Sequence, residues 1–277
     1  GKYEEASEIA RRQVKNGAQI IDICLANPDR DELADMEAFL SHVVRKVKVP
    51  LMIDSTDPKV FERALTYSQG KAILNSINLE EGEERFRQVV PLAKEYGAAL
   101  VVGCIDEQGM AVSRERKLEV ARRAYRLLVE TYGVPPQDII FDPLVFPCAT
   151  GDQQYLGSAR ETIEAIRLLK QEFPQCKTIL GISNVSFGLP PAGREVVNSV
   201  FLYHCTQAGL DLAIVNTEKL ERYAQIPDEE KALAEAVLFE TSEEAIARFA
   251  EHFRGAASRA KPPREELSLD QRLANYI

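Results

Sequence analysis

The chain reads as an α/β fold, a parallel TIM-type (β/α)8 barrel, on three observations. Short runs rich in Val, Ile and Leu alternate with amphipathic helical stretches along most of its length. These runs lack the strict polar alternation of a half-buried strand, as parallel strands covered on both faces do. Four of them stop on Asp or Asn: VPLMIDS at Asp54, KAILNSIN at Asn75, DIIFDP at Asp142 and KTILGISNVS at Asn184. In a parallel barrel the C-terminal strand ends build the pocket, so the function is expected there.

Taken in order, the strand candidates are 19–25, 49–54, 71–77, 98–104, 138–142, 177–183 and 211–215. A helix over 3–15 opens the chain, and the helices that follow carry recognisable ends. Leu33, Met36, Leu40, Val43, Val44 and Val47 make one apolar face. Asp57 before Pro58 is a cap with proline in the first turn, and Ser158 with Glu161 reads as a capping box. Gly17, Gly97, Gly133 and Gly209 follow helical runs where a left-handed C-terminal cap is wanted. Strands joined by such helices imply right-handed βαβ units. Seven strands are counted and a closed barrel needs eight, so the first strand is expected upstream of Gly1, the chain being a fragment. The barrel should occupy 1–253. Small, basic and proline residues at 254–264 read as a linker, and 265–277, with Leu267, Leu269, Leu273 and Ile277, restart an amphipathic helix.

Composition narrows the class. At 277 residues and 45% hydrophobic, the chain can bury one large core. A net charge of -9 gives no footprint for nucleic acid. No apolar stretch nears the ~20 residues of a membrane span, and the charged N-terminus is unlike a signal peptide. Cys24, Cys104, Cys148, Cys176 and Cys205 are odd in number and widely spaced, as reduced thiols of a cytoplasmic protein would be; Cys24 and Cys104 read as small strand hydrophobes. His42, His204 and His252 lie in helical stretches without a second ligand residue nearby, so no metal site is expected. The charge runs at 80–84 and 114–117 read as solvated helix faces.

Each polar strand end, taken alone, can equally cap a turn. Together, on one mouth, two carboxylates and two amides suit a neutral heterocycle with several N–H and C=O groups along its edge, such as a pterin. No lysine is expected among them. Asp106, with Gln108, sits at another strand end, and Arg194 opens a helix where it can meet a carboxylate. Asp22 and Asn216 are strand-end polars that read as network members.

The strings GAQIIDI, VPLMIDS, LNSIN, YGAALVV, DEQG, IIFDP and SNVSFGLP, in this order, resemble the pterin-binding barrel of cobalamin-dependent methionine synthases and of the methyltetrahydrofolate:corrinoid methyltransferases. The barrel is of the dihydropteroate-synthase-like kind. The tail PREELSLDQRL resembles the start of the helical cobalamin-capping module of the methionine synthases. By this resemblance the pterin contacts fall on Asp54, Asn75, Asp142 and Asn184, with Asn184 near N5 as the catalytic residue. Asp22, Asp106 and Arg194 are further substrate-binding candidates, Arg194 toward the folate tail. The loop at Gly188, Leu189 and Pro190 departs from the commoner pattern, which carries another Arg there. The implied substrate is 5-methyltetrahydrofolate, and cobalamin would sit on a neighbouring module of the same polypeptide. The alternatives are a stand-alone methyltransferase acting on a corrinoid iron-sulfur protein and a non-catalytic folate-binding module. A dihydropteroate synthase would carry a lysine-containing phosphate-binding signature where SNVSFG stands.

Overall fold

Seven parallel strands form one curved sheet in the computed structural model, which describes residues 2–255. They are β1 (Ile21–Cys24), β2 (Leu51–Asp54), β3 (Ile73–Leu79), β4 (Ala99–Asp106), β6 (Ile139–Asp142), β7 (Lys177–Gly181) and β8 (Leu212–Ile214), neighbours in that order. The two-residue β5 (Gly109–Met110) turns back antiparallel on the end of β4. That hairpin extends β4 to Asp106, beyond the run expected from hydrophobicity. The other strands fall within the expected runs, except that β3 continues to Leu79.

Nine α-helices connect and cover the strands among the described residues: α1 (Tyr3–Lys15), α2 (Glu32–Lys46), α3 (Pro58–Leu65), α4 (Glu84–Tyr96), α5 (Arg114–Arg126), α6 (Ser158–Glu172), α7 (Pro191–Gln207), α8 (Asp228–Phe239) and α9 (Glu243–His252). Their ends follow local chemistry. The Asp57 carboxylate accepts the Lys59 N–H and leaves Pro58 at the first helical position, where its missing donor is harmless. Gly97 closes α4 at φ 67, a conformation that penalises a Cβ. The capping box expected at Ser158 does not form. Gly157 is the cap, and the Glu161 carboxylate goes to the Arg114 guanidinium and backbone N–H, a charged partner that outcompetes a neutral backbone N–H.

Side chains alternate along each strand, so every second residue faces the barrel axis. Met52, Ile73, Ala99, Val101, Ile140 and Ile179 make the axial core, with Ile20, Leu212 and Ile214 packed against it. The complementary residues Ile21, Ile23, Ile53, Leu74, Leu100, Val102, Ile139 and Phe141 face the helices in the main outer core. This division fixes the site, because two residues beyond the last axial apolar position of a strand lies the mouth.

Between β1 and β8 no pairing is formed among the described residues. A cleft of about 1170 Å³ separates them, lined by α1, β1, β8 and the segment after it. Gln13 at the end of α1 crosses it, its Oε1 accepting the Thr217 N–H at 2.9 Å and the Thr217 hydroxyl at 2.7 Å. The expected helix over 265–277, and the linker from 256 onward, lie outside the described residues.

Candidate functional site

Stepping two residues from the axial core brings the sequence-predicted polar groups together. Met52 leads to Asp54, Ile73 to Asn75, and Ile140 to Asp142, so these three side chains crown the axial core at the C-terminal ends of β2, β3 and β6. Asp54 and Asn75 are direct partners across the β2–β3 pair, and Cys24 is the partner of Asp54 across β1–β2. Gly103 is the partner of Asp142 across β4–β6. Glycine there, and at Gly181 on β7, keeps the mouth open between the polar groups.

The carboxylates are half-buried. Burial raises the Asp142 carboxyl to about 6, against the opposing pull of the Leu144 N–H and the Lys117 ammonium. Burial also raises Asp54, with the Cys24 thiol as a donor that pulls it back and the Glu32 charge adding to the rise. One layer deeper, Asp22 is the partner of Met52 and is lifted to about 7 by burial and then by the Asp54 charge. Its Oδ1 is buried without a hydrogen-bond partner. Half-buried carboxylates with lone pairs beyond those taken by the Leu144 N–H and the Cys24 thiol can accept from an N–H-rich ligand edge.

Asn184 reaches the mouth differently. It lies on a 3₁₀ turn, Ile182–Ser186, that follows β7, and is exposed. A Cβ on Gly181 would stand 3.2 Å from its Nδ2, so glycine there lets the amide lie against the strand end. Arg194, in the first turn of α7, braces this turn: its Nε donates to Ser186 Oγ at 3.1 Å, its Nη2 to the Ser183 carbonyl at 3.4 Å, and its guanidinium lies 5.0 Å from the Phe187 ring centroid. Arg194 and Lys219 also line a small cavity of about 190 Å³ beside it.

Asp106 is committed to its turn, its Oδ1 accepting the Gln108 N–H at 3.0 Å and its Oδ2 the Arg116 guanidinium. Asn216 accepts from Gln13 and from the Glu218 N–H, a network role.

Two expectations are overturned. Cys24 is exposed at the mouth against Asp54, because its partner position is a pocket residue. The run at 114–117 is not a solvated face: Arg114 pairs with Glu161, Arg116 with Asp106, and Lys117 is 0% exposed. Lys117 thus lies behind Asp142, outside the strand-end set itself. No periodic signal marks it, since one polar residue in a run of charges looks like its neighbours.

The chain matches the model of the "Pterin binding enzyme" family over residues 1–216. It is 40% identical to methionine synthase of Mycobacterium tuberculosis over 245 residues, 87% of this chain and 21% of that protein. It is 38% identical to methionine synthase of Mycobacterium leprae over 286 residues, 99% of this chain and 24% of that protein. The chain thus spans about a fifth to a quarter of the length of these relatives. Among solved structures, the fold is similar to that of Yersinia pestis DHPS, with a TM-score of 0.57 at 15% identity, covering 84% of this chain and 88% of that one. It is also similar to dihydropteroate synthase from Xanthomonas albilineans in complex with 7,8-dihydropteroate, with a TM-score of 0.56 at 17% identity, covering 77% and 79%. No described helix is long and apolar enough to cross a membrane. With a parallel barrel whose polar groups gather at one mouth, and with that family match over most of its length, the chain belongs to the pterin-binding enzymes.

Proposed function

We propose that this barrel binds 5-methyltetrahydrofolate and presents its N5 methyl group to a cob(I)alamin carried by another module of a methionine synthase. The observation that carries the reading is the crown of Asp54, Asn75 and Asp142 on the axial core, two of them half-buried carboxylates whose pKa values burial raises and that can accept further donors. The pterin edge offers an exocyclic amine and a ring N–H side by side, which one carboxylate accepts together. Asp142 and Asp54 take that role, and Asn75 serves the mixed donor and acceptor positions.

In the transfer, the N5–CH₃ bond breaks, the methyl group passes to cobalt, and N5 ends with a hydrogen. The corrinoid supplies the nucleophile; the protein must make a tertiary amine a tolerable leaving group. N5 therefore gains a proton, relayed from solvent, before or during transfer, and the Asn184 side-chain oxygen accepts a hydrogen bond from the new N5–H. That interaction strengthens toward the transition state and so favours rate over binding. Arg194 holds the turn that presents Asn184 and, with Lys219, offers positive charge to the anionic folate tail.

The test is spectroscopic. The protein is mixed with 5-methyltetrahydrofolate and free cob(I)alamin, and the formation of methylcobalamin is followed. Transfer dependent on the protein supports the reading. Folate binding without transfer would leave a binding module, and absence of folate binding would remove the proposal.

A further inference from the structure

Lys117 is the one lysine that is fully enclosed among the described residues, and the transfer chemistry makes no use of it. It leaves α5 and runs beneath the end of β6, where Nζ donates to the Pro143 carbonyl and, at 3.5 Å, to the Leu144 carbonyl. The same Nζ lies 4.9 Å from the Phe146 ring centroid. Leu144 is held on every polar atom. Its N–H donates to Asp142 Oδ1 at 2.8 Å, and its carbonyl also accepts the Thr162 hydroxyl at 2.8 Å. Its φ of 67 is a conformation that a branched side chain avoids, so the clamp holds the chain there against its preference. The clamped segment is the one that carries Asp142.

We propose that Lys117 is a positioning residue for pterin recognition: its buried ammonium, fixed on the Asp142–Leu144 turn, keeps Asp142 in the ionised, accepting form. This rests on the reading of Asp142 as a pterin contact. A neutral group of the same shape could hold the carbonyls, but it would not add the positive charge that, beside the Leu144 N–H, favours the carboxylate over the acid. The charged and titratable groups facing Lys117 are Asp142 from β6, the Cys104 thiol from β4 and Glu161 from α6. Glu161 is already bound by Arg114, and burial pushes the Cys104 thiol up to about 12, so neither competes at neutral pH. Asp142 remains as the partner. Burial lowers the Lys117 ammonium to about 8, against the opposing pull of the Cys104, Asp142 and Glu161 groups, which leaves it charged where Asp142 must be ionised.

The experiment measures the affinity for 5-methyltetrahydrofolate from pH 5 to pH 9 in the wild type, Lys117→Gln and Asp142→Asn. The glutamine keeps a donor for the Pro143 carbonyl and removes the charge. Affinity in the wild type should fall as the pH drops through about 6, where Asp142 takes up its proton. Asp142→Asn, which cannot titrate, should lack this limb and reports any titration of the ligand itself. In Lys117→Gln the limb should move up by about one pH unit or more, giving roughly fivefold weaker binding at pH 6. The two proteins should converge by pH 9. A uniform loss at every pH, or an unmoved limb, would make Lys117 a structural clamp and overturn the inference. An Asp142→Asn protein with wild-type affinity and limb would instead remove Asp142 from the pterin site. Should Lys117→Gln not fold, ¹⁵N NMR of Lys117 Nζ in the wild type and in Asp142→Asn reads the same coupling from the other side. Linkage requires the Lys117 pKa to fall in Asp142→Asn by as much as Lys117 lowers that of Asp142, and an unchanged value would refute the coupling.

Discussion

Replacing Asp22 by Asn should make the protein more stable, and only at high enough pH. Asp22 points from β1 into the axial core, where its Oδ1 has no partner and burial lifts its carboxyl from 3.8 to about 7. Between those two values the folded state holds a proton that the unfolded state has released. Stability therefore falls as pH rises through this window. The penalty is complete above about 7 and absent below 3.8. A lift of this size corresponds to about 4 kcal/mol at pH 8, an upper bound because part of the side chain meets water. Half of that would still raise the melting midpoint of a barrel this size by roughly 4 °C or more. Asn cannot ionise, so Asp22→Asn loses the pH-dependent part and keeps any fixed cost of an amide in the same place. Urea unfolding of both proteins at pH 8, 6 and 4 separates the two. The stability difference, variant minus wild type, should shrink steadily toward acid. A difference that stays constant across the series would mean that Asp22 is satisfied in the folded state and that its isolation in the barrel has been misjudged.

Asn184→Ala should lower methyl transfer by about 10²-fold or more while changing folate affinity much less, because its hydrogen bond grows toward the transition state; equal losses in a titration and in the methylcobalamin assay would make it an ordinary binding residue. Gly193→Ala should destabilise the protein by about 1 to 3 kcal/mol despite the better helix propensity, since the new Cβ would stand 2.4 Å from the buried Phe249 ring; a higher melting temperature would show that α9 yields freely.

What the sequence could reveal here depended on periodicity and on where it breaks. Strands buried on both faces announce themselves as short Val/Ile/Leu runs, and a polar residue at the end of such a run stands out against it. Asp54, Asn75 and Asp142 were legible for that reason, and the alternation of side chains along a strand then carries them to one mouth. Cys24 was not, because a cysteine after IleAspIle passes for another apolar residue until the pairing of β1 with β2 sets it beside Asp54. Ser158 and Glu161 met the local pattern of a capping box and failed it through a partner 47 residues away, Arg114. Lys117 failed in the same way and with more consequence. Within a run of four charges its spacing carried no sign of burial, and its role depends on carbonyls 26 and 27 residues further along the chain. Local signals report what a residue could do with its neighbours in sequence; a buried charge is defined by neighbours in space. The candidate acceptors Asp54, Asn75 and Asp142 can thus be read from strand ends, whereas Lys117, whose charge opposes the rise of the Asp142 pKa, comes from a surrounding helix. On the proposed reading, that helix decides the pH range over which Asp142 can accept a ligand.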